Sequence, residues 1–352
     1  MATERRRDAA RPPFAARLLA WFDANRRDLP WRRTRDPWAI WVSEVMLQQT
    51  RVEAVREPFA RFMARFPTPE TFAAVDDDGL LAAWRGLGYY RRARLLREGA
   101  RAVVRDHGGK VPGNVAALAE LPGVGAYTCG AVASIAFGHP EPAVDGNVER
   151  VYARFAGIEL DIKSGAAQRL LRERVLADLD LTRPGDFNQA LMELGATVCT
   201  PTSPRCEACP VAADCTARRD GRTAQLPNKK APKAAVEVTA RVAVVLRGGS
   251  ALGYRIPAGE PNAGQVELPG PGILRSCDPD DLADALKSRF AADLAIGPAL
   301  AAVRHAITHH RITVHGHAAD VRRLGELRWL PRDEATPWTT PSRKLFAALG
   351  EG

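Results

Sequence analysis

A chain of 352 residues, 46% of them hydrophobic and 26% charged, is long enough for two cores and too apolar to be a disordered polymer. It has no uninterrupted apolar run long enough to cross a bilayer, so a soluble, cytoplasmic protein with no membrane partner is expected. The net charge of +9 is unevenly placed: residues 251–352 hold 12 basic and 12 acidic side chains, whereas residues 1–250 hold 38 and 29. A basic front region points to a polyanion, most often nucleic acid, although a general abundance of arginine would give the same balance.

Residues 1–13 are rich in Arg and Ala and read as a mobile basic arm. From residue 14 to 215 apolar residues recur at helical spacing, which predicts an all-α domain. The expected helices are Arg17–Asn25, Val42–Arg51, Val55–Arg65, Gly79–Trp84, Arg91–Arg105, Val115–Leu121, Tyr127–Phe137, Asn147–Phe155, Ala166–Leu179 and Phe187–Gly195, punctuated by Gly and Pro. Residues 216–235 are polar, basic and proline-containing, and read as an interdomain linker. Beyond them Val236–Arg247 and Arg311–His317 alternate as strands do, and a helix is expected at Asp280–Ala291, so residues 236–350 form a small α+β domain.

Four segments carry candidate chemistry. In Ser43-Glu-Val-Met-Leu-Gln-Gln-Thr50, Glu44 is flanked by apolar residues, which predicts desolvation and a raised carboxyl pKa. Leu121-Pro-Gly-Val-Gly125 ends one apolar helix and opens another; Gly123 and Gly125 allow a tight turn whose N–H groups can hold a phosphate. A plain helix–turn–helix corner reads the same way. In Val144-Asp-Gly-Asn-Val148, Asp145 or Asn147 is a natural helix cap, but a second acid alongside Glu44 completes the two-carboxyl set used to break glycosidic bonds. Lastly, Cys199, Cys206, Cys209 and Cys215 are spaced x6, x2, x5 among prolines. Only one Cys-x2-Cys pair occurs, which suits a [4Fe–4S] cluster better than a zinc loop or two disulfides, the remaining alternatives. Five of seven histidines fall in residues 305–317, as a polar strand or, less simply, a metal site.

Together these segments, with Leu29-Pro-Trp-Arg32, GLGYYRRARLL (86–96) and FNQALMELGA (187–196), resemble the endonuclease III superfamily of DNA glycosylases, and within it the MutY-type adenine glycosylases. The resemblance runs over residues 14–215. It implies a helix-hairpin-helix glycosylase domain, a [4Fe–4S] cluster on the four cysteines, and a monomer acting on double-stranded DNA that contains an adenine mispair. By the same resemblance, Glu44 protonates the adenine and Asp145 stabilises the sugar cation, with Asn147 and Tyr127 in support. Trp31, Arg32 and Gln189 line the base pocket, while Gln48, Gln49 and Tyr89 meet the opened helix. Bifunctional relatives carry lysine where Tyr127 stands, so a monofunctional enzyme is implied. Residues 236–350 resemble the family's Nudix-like domain. Gln265-Val-Glu-Leu-Pro-Gly270 matches its core, but residues 271–295 contain no glutamate to hold magnesium. The place of its 8-oxoguanine-reading Phe-Ser-His loop is taken by Ile307-Thr308-His309, which keeps a hydroxyl and the imidazole.

Overall fold

The computed structural model describes residues 13–230 and 234–350; the basic arm, apart from Pro13, lies outside them. The chain divides into two compact units, one running to Val75 and from Gly86 to Lys230, the other joining Asp76–Arg85 to the chain after Lys230.

The first unit is helical: α1 (Phe14–Asn25), α2 (Pro37–Leu47), α3 (Val52–Arg65) and α4 (Pro69–Ala73) precede the excursion of α5 (Asp77–Ala83). It continues with α6 (Arg91–His107), α7 (Val115–Glu120), α8 (Ala126–Phe137), α9 (Gly146–Phe155), α10 (Gly165–Asp178), α11 (Pro184–Thr197) and α12 (Thr216–Arg219). The expected boundary of α2 moves by five residues. Its start is set by Asp36, whose carboxylate accepts from the N–H groups of Trp38 and Ala39, with Pro37 in the first turn. It stops at Leu47, before Gln49 turns left-handed. α4 is absent from the expected set because five residues are too few for a periodic signal; Thr68, Thr71 and Pro69 define it by capping.

Two apolar layers build the unit. Trp38, Trp41, Phe62, Phe66 and Phe72 form an aromatic cluster, with Trp38 edge-on to Trp41 at 5.8 Å between ring centroids. Phe14, Leu18 and Phe22 of α1 pack with Val148 and Tyr152 of α9 and with Phe187 and Leu191 of α11. The expected linker folds onto this unit as far as Lys230. Thr216–Arg219 is helical, Ala217 and Leu226 are buried, and Arg154 donates to the Leu226 carbonyl at 2.9 Å. Two apolar residues in a basic stretch suffice to anchor it, a signal too sparse for composition to reveal.

The second unit holds two sheets: β1 (Val236–Val244), β2 (Leu246–Arg247), β3 (Ser250–Arg255), β4 (Val266–Glu267), β5 (Asp293–Ile307), β6 (His310–Arg323) and β7 (Arg328–Pro331), with α13 (Leu282–Phe290) and α14 (Thr340–Ala348). One sheet has the order β1-β6-β5, with β1 parallel to β6 and β5 antiparallel to it; β3 pairs with β2, β4 and β7 in the other. β1 sends Val238, Ala240, Val242 and Val244 into one core and Ala243 into another with Leu282 and Leu286 of α13. The alanine-rich β5 gives no strand signal of its own and is held by its register on β6. α5, numbered within the helical region, belongs here, with an Arg255–Asp78 ion pair at 2.8 Å.

In the first unit, Gly99 lets α6 approach α2 closely: a Cβ there would lie 2.6 Å from the Trp41 ring and 2.8 Å from the Pro122 carbonyl oxygen. Gly99→Ala is expected to destabilise the helical unit by about 1–3 kcal/mol, the cost of overpacking a filled core. A lower urea midpoint at unchanged slope checks this; an unchanged midpoint contradicts it.

Candidate active site

One cavity of about 730 Å³ in the helical unit is lined by Trp31, Arg32, Glu44, Gln48, Gln49, Gly123, Gly125, Tyr127, Asp145, Asn147 and Gln189. Residues as far apart in sequence as Trp31 and Gln189 meet there because five segments contribute. Glu44 comes from α2, Tyr127 from the first turn of α8, Asp145 and Asn147 from the start of α9, Gln189 from α11, and Trp31 and Arg32 from a 3₁₀ turn at Pro30–Arg32. Gly123, with φ of 80°, and Gly125, the N-cap of α8, form the turn between α7 and α8 at the cavity edge. Tyr89 is not in the cavity wall; it is exposed at the start of α6. Thr308 and His309 belong to the second unit, as the two-residue turn between β5 and β6, where Thr308 has φ of 53°.

Glu44 is 5% exposed, on a helix whose neighbouring residues Val42, Val45 and Met46 are buried. Burial drives its carboxyl up to about 7; the Tyr127 hydroxyl donating to Oε2 holds it back, the charge of Asp145 adds to the rise, and Arg32 opposes it. Tyr127 in turn is pushed well above the usual phenol range, by burial and by the charges of Glu44 and Asp145, so it stays a neutral donor. Its hydroxyl also lies 3.2 Å from the Met192 sulfur.

Asp145 is both a cap and a site residue, since the same geometry serves both. Oδ1 accepts from the backbone N–H groups of Asn147 at 2.9 Å and Val148 at 2.8 Å, and Oδ2 from Asn147 Nδ2 at 2.7 Å. Burial raises its pKa, and these three donors, with Arg150, oppose that rise. The α9 N-terminus favours the anion as well. The two acids therefore differ in kind. Glu44 has one neutral donor in an apolar setting and is pushed up to about 7; Asp145, whose carboxyl burial also raises, has three N–H donors that oppose the rise.

The sequence alone does not single out three parts of the site: Glu193, Arg27 and Arg150. Glu193, 1% exposed, accepts from Arg27 Nε and Nη2, both at 2.8 Å, and from Arg32 Nη2 at 2.9 Å. Burial alone would raise its pKa, but the hydrogen bonds of Arg27 and Arg32 bring it down to about 2, which fixes both guanidinium groups at the cavity wall. An acid between Met192 and Leu194 is the signal that singled out Glu44, and it applied equally here. The third part is Arg150, whose Nη2 donates to Asn147 Oδ1 at 2.8 Å and to the Gly195 carbonyl at 2.7 Å, while Nε reaches the Cys199 carbonyl at 2.7 Å. Hydrogen bonds thus run from Asp145 through Asn147 and Arg150 to the cysteine loop.

The four cysteines border a second, largely apolar pocket with Val151, Phe155, Leu194 and Val211. All are free thiols, which removes the disulfide reading. Burial, with the other cysteines adding, takes Cys209 up to about 11 and raises Cys215 in the same way. As ligands these sulfurs would have to be thiolates, which a cationic centre would stabilise where Arg154 contributes only a 3.4 Å contact from Nη1 to Cys199 Sγ. The donor set therefore fits an iron–sulfur group held by Cys199, Cys206, Cys209 and Cys215. The histidines of 305–317 lie along β5, β6 and their turn, and no three His, Cys, Asp or Glu of the described residues converge to hold a single metal ion. No helix among the described residues is long and apolar enough to cross a membrane.

Residues 42–176 match the model of the HhH-GPD superfamily of base excision DNA repair proteins, and residues 199–215 that of the iron–sulfur binding domain of endonuclease III. The chain is 47% identical over 226 residues to an adenine DNA glycosylase of Rattus norvegicus, covering 61% of this chain and 44% of that protein. It thus spans less than half of the rat protein's length. A thermostable thymine-DNA glycosylase superposes with a TM-score of 0.54 at 33% identity, over 59% of this chain and 95% of that one. Endonuclease III in a non-covalent complex with DNA gives 0.51 at 25% identity, over 59% and 94%.

The raised pKa of Glu44 has a consequence for stability. The folded state holds this proton more tightly than the unfolded chain, so stability falls as pH rises from the ordinary carboxyl value of 4.5 to about 7, and is flat beyond. Glu44→Gln is expected to raise stability at pH 8 by up to about 3 kcal/mol, at about 1.4 kcal/mol per pH unit, and to change little at pH 4. Denaturant melts at the two pH values test it; an equal effect at both would mean that Glu44 does not titrate as described.

Proposed function

The chain belongs to the helix-hairpin-helix superfamily of base excision DNA repair proteins that includes endonuclease III, and from that premise we propose that it is a MutY-type adenine DNA glycosylase, a monofunctional hydrolase that frees adenine mispaired with 8-oxoguanine or guanine in double-stranded DNA. The observation that carries this reading is the pair of unlike carboxyls in one cavity: Glu44 pushed up to about 7 by burial with a single hydroxyl donor, Asp145 met by three N–H donors that favour its anion.

A base inside a duplex is out of reach, so the adenine is turned out into the cavity. Trp31, Arg32 and Gln189 receive it, with Glu193 holding Arg32 in place. Glu44 gives its proton to a ring nitrogen, so the base leaves neutral as the glycosidic bond breaks. Positive charge then grows on the sugar, and Asp145, fixed by Asn147, stabilises it until water adds at the anomeric carbon. Tyr127 orients Glu44 and, lacking an amine, forms no Schiff base, so the strand stays intact. Gly123 and Gly125 serve the phosphate backbone, and Gln48, Gln49 and Tyr89 the vacated stack.

The four cysteines hold a [4Fe–4S] cluster, which supplies a rigid loop and no step of the reaction. One Cys-x2-Cys pair with two more distant thiols around a largely apolar pocket suits a cubane better than zinc. Residues 236–350 act as a Nudix-like recognition domain, with Thr308 and His309 facing the oxidised guanine. The protein works as a cytoplasmic monomer on DNA.

Single-turnover cleavage of a duplex with one adenine opposite 8-oxoguanine tests the reading. A strand break should appear only after hot alkali, be absent from adenine·thymine and guanine·thymine controls, and slow as pH rises above about 7, where Glu44 loses its proton. Glu44→Gln should lose roughly 100-fold or more in rate, the scale of general acid catalysis, while duplex affinity is kept. Release of another base in place of adenine, or a break without alkali, overturns substrate or mechanism. Purified protein should carry about four irons per chain; one zinc per chain would replace the cluster.

A further inference from the structure

Within the helical unit, Gln49 and Tyr89 are the non-glycine residues with left-handed backbone among the described residues, at φ of 58° and 47°. Both side chains are exposed, Tyr89 at 53%. Neither is a residue type that settles there unaided. Each left-handed residue costs on the order of 1–3 kcal/mol, so something must hold both.

One side chain reaches both loops. Arg92, in the first turn of α6, is 9% exposed. Its Nη1 donates to the carbonyls of Val45 at 2.8 Å and Met46 at 3.0 Å, and to that of Gln48. Its Nη2 donates to Thr50 Oγ1 at 3.1 Å and to the carbonyls of Leu87 at 3.0 Å and Gly88 at 3.3 Å. The guanidinium carbon stands 5.6 Å from the centroid of the Tyr89 ring. Two of these acceptors are decisive. The Gln48 carbonyl lies in the peptide plane whose rotation is the φ of Gln49, and the Gly88 carbonyl lies in the plane whose rotation is the φ of Tyr89. A single planar fork therefore fixes both strained torsions, and links the C-terminus of α2 to the N-terminus of α6.

We infer that Arg92 is a positioning residue that keeps Gln49 and Tyr89 cocked as a paired wedge, ready to enter a base stack before any DNA is bound. The inference rests on the base-flipping reading above and adds to it the group that prepares the opening. A lysine cannot replace it, because one ammonium cannot face both loops at once. Burial lowers the Arg92 pKa to about 10, so the fork remains charged at neutral pH.

The test compares wild type, Arg92→Lys and Thr50→Val on two substrates: a duplex with adenine opposite 8-oxoguanine, and the same strand with that adenine in an unpaired bulge. 2-Aminopurine beside the target adenine reports unstacking on binding. Arg92→Lys should slow release from the duplex roughly tenfold or more, the equivalent of one unheld left-handed residue, leave release from the bulge nearly unchanged, and remove the fluorescence rise. Added to a variant in which both Gln49→Ala and Tyr89→Ala are present, it should cost nothing further. Equal slowing on both substrates would mean that Arg92 merely holds the fold, and would overturn the inference. Thr50→Val removes one acceptor and should show the same pattern at smaller size, so the test stands even if Arg92→Lys does not fold; equal loss on both substrates in that variant also overturns it. If wild type unstacks the probe but frees no adenine, the adenine reading falls and the wedge inference is judged on fluorescence alone. If wild type gives no fluorescence rise, the wedge inference falls whatever base is released.

Discussion

Two carboxyl groups, Glu44 and Asp145, line one cavity, the first buried and the second partly buried, where the charge of either raises the cost of ionising the other. That repulsion is what the helical unit is arranged to manage. α2 surrounds Glu44 with apolar neighbours, which makes the protonated form the cheaper one. α9 presents its N-terminus and three N–H donors to Asp145, which oppose the rise that burial imposes on its carboxyl. Each helix would be ordinary without the other; the contrast between the two carboxyls matters because both line the same cavity.

The surrounding arginines follow from the same constraint. Glu193 takes up Arg27 and Arg32, so neither guanidinium is free to swing onto Glu44 and ionise it. Arg150 holds Asn147 in the orientation that caps Asp145, and Gly195 permits this: a Cβ there would stand 2.5 Å from that of Asn147. Arg92 does for the C-terminus of α2 what Arg150 does for that of α11, satisfying carbonyls that a helix end leaves without partners. Buried arginines recur here because one planar group with five donors can close several backbone gaps at once.

Much of this was legible in the sequence, because it is carried by local patterns. Helical periodicity is a property of near neighbours, so the boundaries of α3, α6, α8 and α10 fall within a few residues of expectation. Glu44 was legible because desolvation is foreshadowed by the residues flanking it. Glu193 has the same flanking pattern, yet a buried acid paired with two arginines and one left alone look identical until the partners are placed. The folding of 216–230 onto the helices was hidden because two buried residues, Ala217 and Leu226, do not change a composition. β5 was hidden because alanine prefers no strand, and pairing with β6 alone decides it.

The sequence by itself determined which residues carry protons, thiols and backbone freedom, and it brought each to the end or face of a local element. Capping, periodicity and spacing act over a few residues, where chain connectivity fixes the geometry. Only the tertiary structure decided that Glu44 and Asp145 face one cavity, that Arg150 connects Asn147 to the Cys199 loop, and that one guanidinium holds both Gln49 and Tyr89. Those contacts join residues tens of positions apart, and their strengths depend on burial and dielectric, which exist only once the helices have packed.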